Sequence, residues 1–197
     1  MIIPITGIMM VRGEKRQDIL DTTLRLIVER GLEATPMSLI AQEAGVGMGT
    51  IYHHFSGKEE LVNVLYRELK QRTYTAIMAG HEESAPVRER FFRMWRNLFD
   101  LYLAEPDLYR FLTQYSLSPT ITQESKDLGM RLWQEPIRLI EQGQAQVMVK
   151  PLPLELLMLI ANAPLANLVQ GHIDGRIQLD SPSIDAAITA CWDAIKL

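Results

Sequence analysis

Residues 35–58 hold the densest group of side chains able to contact another molecule, in the segment TPMSLIAQEAGVGMGTIYHHFSGK. The pattern predicts two short helices joined by a tight turn at Gly45-Val46-Gly47, where Gly45 can adopt a positive φ without steric cost. Ile51 and Phe55 lie four residues apart, which predicts one buried face on the second helix. This layout is typical of a helix-turn-helix, whose second helix enters the DNA major groove. The remaining residues would then surround its exposed end and side: Met48, Gly49, Thr50, Tyr52, His53 and His54.

Metal and catalytic chemistry are less well supported than DNA contact. Adjacent histidines on a helix point about 100° apart, and no acidic residue or cysteine stands near His53 and His54 to complete a metal site. The chain has no Gly-rich phosphate loop and no HExxH motif. Its single cysteine, Cys191, has apolar neighbours, which favours packing over nucleophilic catalysis. We therefore predict a non-enzyme with no cofactor and no metal.

The elements that position these residues are predicted to be helices throughout, since no Val/Ile/Thr-rich run alternates with period two. Glycine and proline mark most of the boundaries, and residues 80–86 (GHEESAP) are the one plausible linker. About nine helices are expected. They cover approximately residues 14–30, 36–44, 48–54, 56–78, 88–104, 106–115, 119–149 with a kink or split at Pro136, 153–173 with a kink at Pro164, and 181–195.

Composition places limits on the possible partners. With 197 residues, 47% hydrophobic and 22% charged, the chain has the composition of an ordinary globular protein. The net charge is −4, and the acidic excess falls after residue 80, so DNA binding would need local cations and paired copies rather than bulk charge. The longest apolar stretch is interrupted by polar residues and prolines, and no membrane segment is predicted. The apolar start, residues 1–11, lacks the features of a signal peptide and is predicted to be a tail, with the cytoplasm as the location.

The segment from Glu14 to Leu69 resembles the N-terminal domain of the TetR family of bacterial transcriptional regulators. The resemblance implies an all-α fold with a tail at residues 1–13, a three-helix DNA-binding domain at 14–57, and a helical ligand-binding and dimerisation domain at 58–197. The matching residues are Gly31-Leu32, Thr35, Ile40-Ala41, Ala44-Gly45-Val46, Gly49-Thr50-Ile51-Tyr52, His54-Phe55 and Lys58-Glu59-Glu60-Leu61.

The resemblance also implies roles at the DNA. Thr35 would hold a phosphate through its hydroxyl and backbone N–H, and Tyr52 would contact a phosphate or a thymine methyl. His54 and Lys58 would contact phosphates. Base edges would be faced by Met48, Gly49, Thr50 and His53, while Arg12, Lys15 and Arg16 could reach the backbone or minor groove.

Two departures from the family pattern affect these roles. Pro36 removes one N–H that could bind phosphate, and Ser38 stands where many members have a charged residue. The predicted recognition helix has no Arg, Asn or Gln at a base-facing position. Specificity is therefore expected to rest on methyl contacts and DNA shape.

The second part of the chain is rich in aromatic residues and methionine, which indicates a helical core when the residues are taken alone. The resemblance implies more, namely a small-molecule cavity and a homodimer formed by the last two helices, around Leu156–Val169 and Ile184–Ile195. Such a cavity would suit flat, hydrophobic or cationic compounds. The predicted ligand-binding residues are Tyr66, Trp95, Phe99, Tyr115, Trp133, Glu155 and Met158.

These observations predict a sequence-specific regulator that binds a palindromic DNA operator as a homodimer and is released by a small hydrophobic or aromatic effector. Repression is the predicted output, and activation is the alternative within the same class. A different alternative is a helical scaffold or adaptor that has lost specific DNA binding, because of Pro36, Ser38 and the neutral charge of residues 1–80.

Overall fold

The computed structural model describes residues 12–197, with side chains from Lys15 onward. This range contains ten α-helices and no β-strand, apart from one isolated backbone bridge between Val149 and Lys196. The helices are α1 (Arg12–Arg30), α2 (Met37–Glu43), α3 (Met48–His54), α4 (Lys58–Ile77), α5 (Val87–Ala104), α6 (Pro106–Tyr115), α7 (Gln123–Leu132), α8 (Gln134–Ala145), α9 (Leu154–Ile173) and α10 (Ser181–Ile195). The all-α prediction is confirmed. The tail predicted for residues 1–13 lies almost entirely outside the described residues.

The helix predicted at 119–149, with a kink or split at Pro136, is two helices, which raises the expected nine to ten in the described range. The break falls at Trp133, three residues before Pro136. Pro136 itself lies in the first turn of α8, where a backbone N–H would have no partner within the helix in any case. Proline is therefore compatible with this position in α8.

Helices α2 and α4 begin one and two residues later than the predicted 36 and 56. The N-cap of α2 is Pro36 and the N-cap of α4 is Gly57. The amide of Ser56 donates to the Glu60 carboxylate at 2.5 Å. Hydrogen bonds from the hydroxyl and the N–H of Ser56 lower the pKa of the Glu60 carboxyl group.

Two hydrophobic clusters form the core. The first joins α1, α2, α3 and α4 to α6, with Ile51, Phe55 and Phe111 fully buried. The second joins α5, α8, α9 and α10 around Trp95 and Trp192. Because α6 packs against α1 and α4 in the first cluster, the N-terminal helices are in direct contact with the C-terminal part of the chain.

The connection between α4 and α5, predicted as a linker, is fixed to the helices at both sides. The Asn97 amide donates to the carbonyls of Ile77 and Ala79, at 3.2 Å and 2.9 Å, and so caps the end of α4. The Arg93 guanidinium donates to the carbonyl of Gly80, which has φ +64°. These bonds hold the orientation of α4 relative to α5.

Helix α9 is the most apolar element; it has 20 residues and contains an 18-residue stretch with a mean hydropathy of 1.3. By length and composition it could cross a membrane, which corrects the expectation that no segment of the chain is apolar enough. In this fold α9 packs against α5, α8 and α10. The Trp95 indole donates to the carbonyl of Ala161 at 2.9 Å, and the Tyr109 hydroxyl donates to that of Ala166 at 2.7 Å.

Candidate DNA-contact surface and ligand cavities

Helices α2 and α3 form the predicted helix-turn-helix. The turn contains Gly45 at φ +64°, and the amide of Val46 donates to the carbonyl of Ala41 at 3.0 Å. The side chain of Ile51 is 0% exposed and that of Phe55 is 1% exposed. These buried residues fix the rotation of α3 about its axis, so the residues between them must face outward.

The outward side of α3 holds six of the predicted DNA-contact residues. Tyr52 is 55% exposed and Met48 is 37% exposed, with Gly49 and His53 also exposed. Thr50 and His54 are half-buried, and the rings of His53 and His54 meet edge to face at 5.3 Å. This contact-capable face is called the α3 surface below: Met48, Gly49, Thr50, Tyr52, His53 and His54.

Thr35 does not belong to this surface. Its side chain is 0% exposed, and its hydroxyl donates to the carbonyls of Gly31 at 2.8 Å and Leu26 at 3.3 Å. Its backbone N–H donates to the carbonyl of Leu32 at 3.2 Å. The predicted phosphate contact is therefore wrong, because both donors are used inside the protein at the end of α1.

Lys58 and Tyr115 meet at the peptide groups of Leu32. The Lys58 ammonium donates to the Leu32 carbonyl at 2.6 Å, and the Tyr115 hydroxyl accepts from the Leu32 N–H at 3.2 Å. Tyr115 is buried and lies outside both cavities described below, so its predicted ligand contact is wrong. It connects α6 to the loop that precedes α2.

Arg16 contributes to the same part of the molecule. Its guanidinium pairs with Glu68 of α4 at 2.5 Å and lies 5.8 Å from the centre of the Phe55 ring. Arg16 therefore joins α1 to α4 near the end of α3. The side chain of Arg12, predicted to reach DNA, lies outside the described side chains.

Asn63 forms a second connection, which the sequence analysis missed. Its side chain is 3% exposed, and its amide nitrogen donates to the carbonyls of Glu59 and Thr120, both at 2.9 Å. Its amide oxygen accepts from the Thr122 N–H at 2.8 Å and from the Thr122 hydroxyl at 3.1 Å. The first turns of α4 are thus bonded to the loop between α6 and α7. A polar residue on the inward face of an amphipathic helix was the available signal.

The first cavity has a volume of about 580 Å³ and lies among α5, α6, α8 and α9. Three of the predicted ligand residues line it, namely Trp133, Glu155 and Met158. Trp95 and Phe99 do not: the Trp95 ring stacks on Phe91 at 3.9 Å, and Phe99 is 0% exposed. Both are core residues, and their predicted ligand contacts are wrong.

The polar groups of the first cavity are few. Tyr102 and Tyr109 face each other with ring centres 5.1 Å apart, and burial raises the pKa of both phenols. They are therefore neutral and offer hydrogen bonds rather than charge. Glu155 is the one charged side chain among the residues that line this cavity, so its wall is mainly apolar.

A second cavity, of about 650 Å³, lies between α4 and α7 and includes Tyr66, another predicted ligand residue. Trp133 and Ile137 line both cavities, so the two share a wall. Helix α7 approaches α4 closely here, since a Cβ on Gly129 would lie 2.9 Å from the Tyr66 hydroxyl oxygen. Burial raises the pKa of the Tyr66 phenol and lowers that of the Lys70 ammonium.

Metal binding and thiol catalysis have little support in the described part of the chain. It contains no group of three or more His, Cys, Asp or Glu side chains placed to hold a metal ion. Cys191 is buried, and burial raises the pKa of its thiol, which disfavours the nucleophilic thiolate.

Known proteins resemble this chain in both its N-terminal and its C-terminal region. Residues 19–65 match the family described as bacterial regulatory proteins, tetR family, and residues 86–196 match a tetracyclin repressor-like C-terminal domain. An uncharacterized HTH-type transcriptional regulator of Haemophilus influenzae is 24% identical over 180 residues, covering 91% of this chain and 95% of that protein.

Solved structures give the same result. A putative TetR-family regulator from Vibrio parahaemolyticus is 34% identical with a TM-score of 0.79, covering 93% of this chain and 99% of that one. One from Marinobacter aquaeolei is 26% identical with a TM-score of 0.87, covering 93% and 96%. These relatives are transcription regulators rather than enzymes. With its helix-turn-helix and its helical C-terminal domain, the chain belongs to the TetR family of bacterial transcriptional regulators.

Proposed function

We propose that the protein is a homodimeric repressor that binds a near-palindromic operator through α3 and leaves it when a small apolar effector binds. The observation that carries this proposal is the α3 surface, where a solvent-facing row of hydroxyl, phenol and imidazole groups lies opposite the buried Ile51 and Phe55. A helix held in this way can enter a major groove with its N-terminal residues at the base edges.

The chemistry of the α3 surface suggests how DNA is read. The Thr50 methyl suits thymine, and Gly49 allows close approach because it has no side chain and the space beside it is open. His54 and Lys58 would contact phosphates. An ammonium has three donors, so Lys58 keeps two for a phosphate while bonded to Leu32. Because no arginine or amide side chain faces outward on α3, methyl contacts and DNA shape supply the specificity.

The dimer is proposed to form through α9 and α10. Leu156 and Leu159 of α9 are 44% and 67% exposed, an unusual position for large apolar side chains on the most apolar helix. Small exposed residues on the same two helices, Ala163, Ala186 and Ala190, would permit close approach of a second copy. A two-fold dimer would set its recognition helices about 34–36 Å apart, one turn of DNA.

The effector is proposed to bind among α5, α6, α8 and α9, in the first cavity. Its volume of about 580 Å³ and mainly apolar lining suit a small hydrophobic molecule. Tyr109 lines this cavity, and its helix α6 also carries Tyr115, which bonds Leu32 beside the helix-turn-helix. Movement of α6 would therefore displace α2 and α3.

Effector and operator would act through one equilibrium between two conformations. The effector shifts it only by its difference in affinity for the two states. Operator DNA must then weaken effector binding by the same factor by which effector weakens operator binding. A DNA regulator of this kind would work in the cytoplasm.

The test is selection of DNA from a random library by the purified, effector-free protein at about 150 mM salt, since salt sets non-specific binding. Enrichment of an inverted repeat, lost in Tyr52→Ala but kept in the control Tyr74→Ala on α4, would support the proposal. No enrichment from folded dimeric protein would overturn it in favour of the scaffold alternative. Enrichment of single half-sites by a monomer would overturn the dimer alone.

A further inference from the structure

We infer that the second cavity, between α4 and α7, is a binding site for a small organic anion with an apolar body. Its anionic group would lie at Lys70, with Lys126 and Arg131 nearby, and its apolar body along Tyr66 and Trp133. The inference goes beyond the proposed function, whose effector occupies the first cavity, by adding a second ligand of a different class at a different place.

The charges around this cavity carry the argument. Lys70, Lys126 and Arg131 line it, against a single carboxylate from Asp127. Within residues 15–197, none of these three side chains donates a hydrogen bond or forms an ion pair, and the Lys70 ammonium lies 5.5 Å from the centre of the Tyr66 ring.

Two other cations of the described chain show the usual alternative, a carboxylate partner. Arg96 pairs with Asp100 and Asp185, at 3.1 Å and 2.7 Å, and Arg25 pairs with Glu43 at 3.0 Å. A small organic anion would be attracted by three cations that lack carboxylate partners and surround one concave space. The attraction is strong because protein of low dielectric screens electrostatic interactions less than water does. Burial disfavours the charged form of Lys70 and so lowers its pKa. A bound anion would stabilise the charged ammonium and offset this effect.

The remaining lining shows what kind of anion fits. Tyr66, Leu117, Met130, Trp133 and Ile137 provide an apolar and aromatic surface in a volume of about 650 Å³. Leu117 and Met130 are 91% and 68% exposed, so a ligand here would cover large apolar side chains that now face solvent. Inorganic phosphate alone would leave this surface unused. An aryl or alkyl carboxylate would contact both the cations and the apolar surface.

The site is placed to affect DNA binding. Tyr66 and Lys70 lie on α4, the helix that follows the recognition helix, and the other two cations lie on α7. Gly129 brings α7 so close that even a methyl group would meet the Tyr66 hydroxyl oxygen at 2.9 Å. A ligand between these helices would therefore change their separation. The effect on DNA rests on the proposed function, whereas the binding itself does not.

Three probes with one body and different head groups separate charge from hydrophobicity: 4-phenylbutyrate, 4-phenyl-1-butanol and 4-phenylbutylamine. Calorimetric titration of the DNA-free protein should show the carboxylate binding on the order of tenfold more tightly than the alcohol, since a charged hydrogen bond is the difference. The amine should bind most weakly. Equal affinity for all three, or preference for the amine, would overturn the inference.

Variants then locate the site. Lys70→Met should remove the preference for carboxylate over alcohol, and Lys126→Gln with Arg131→Gln should reduce it, while all remain folded by circular dichroism. The charge-matched control is Arg110→Met, on α6 and outside both cavities, which should keep the full preference. A full preference that survives in folded Lys70→Met would overturn the inference. If Lys70→Met does not fold, a full preference in the double variant would overturn it.

Operator release is measured separately, by fluorescence anisotropy of labelled DNA. Carboxylate-selective binding that requires Lys70 supports the inference whether or not the DNA is released. Binding without release would instead count against regulation through α4. Failure of the DNA selection above would overturn the proposed operator function and leave the binding result standing.

Discussion

Replacement of Asn63 by alanine should weaken the whole fold, although the change removes only a small polar group. Asn63 is the buried residue through which α4 bonds to the loop between α6 and α7. The alanine variant would leave the Thr120 carbonyl and the Thr122 N–H without the partners they have in the native protein. The Thr122 hydroxyl would keep its contact with Ser125 at 3.0 Å.

The expected loss follows from the bonds removed. Three of the four bonds of Asn63 cross to another segment, at 2.8 Å, 2.9 Å and 3.1 Å, and each contributes about 1 kcal/mol. Alanine recovers roughly 0.6 kcal/mol because it is the better helix former. The net expectation is a decrease of about 2–3 kcal/mol in the free energy of unfolding.

Urea unfolding followed by circular dichroism would measure the loss, with wild type and variants at one protomer concentration because a dimer's stability depends on it. The matched control is Gln71→Ala on the same helix, an exposed amide whose removal should change stability by no more than about 0.5 kcal/mol. A loss for Asn63→Ala below about 1 kcal/mol, or equal losses for both variants, would refute the assigned role.

Further predictions concern single positions. Gly143→Ala should destabilise by about 1–3 kcal/mol, since its Cβ would lie 2.6 Å from a Val149 methyl; thermal unfolding measures this, and a Val149→Ala double mutant should lose less than the sum. Val147→Gly should stabilise by about 1 kcal/mol, because a β-branched residue at φ +57° is strained; an unchanged urea midpoint would contradict this. The Asp180 carboxyl has its pKa lowered by the Ser183 hydroxyl and N–H at the start of α10, so its contribution is present above the unfolded pKa and is lost in acid. Wild type should exceed Asp180→Asn in stability near neutral pH, and the difference should vanish as pH falls through the native pKa.

The helices could be predicted well where glycine or proline marks an end. The approximate bounds predicted for α3 and α6 agree with the structure, because Gly47 and Pro106 set their starts. The sequence predicted a kink or split at Pro136, three residues after the observed break at Trp133. The exact position could not be read from the sequence, since the residues on both sides continue a helical pattern. Its position is decided by packing against α4 and α5.

For the candidate sites, the sequence predicted the orientation of α3 better than it predicted the residues that line the cavities. The helical period is enough to place Tyr52 outward and Ile51 inward, since burial of one fixes the other. Spacing alone could not separate Trp95 from Trp133, because both point inward and only the fold decides whether the space beyond is filled. Thr35 and Tyr115 were misassigned because their partners are backbone groups, which no residue pattern reveals.

The bonds from Tyr115 and Lys58 to Leu32 have a consequence for the exchange of domains between relatives. Both side chains contact peptide groups, which every residue except proline offers in the same form. Changes of side chain at position 32 therefore need no compensating change at 115, so an alignment would show no paired substitutions for this link. For the same reason, a helix-turn-helix of different sequence could be joined to this C-terminal domain and still be held by Tyr115, which makes the chain a suitable parent for chimeric regulators.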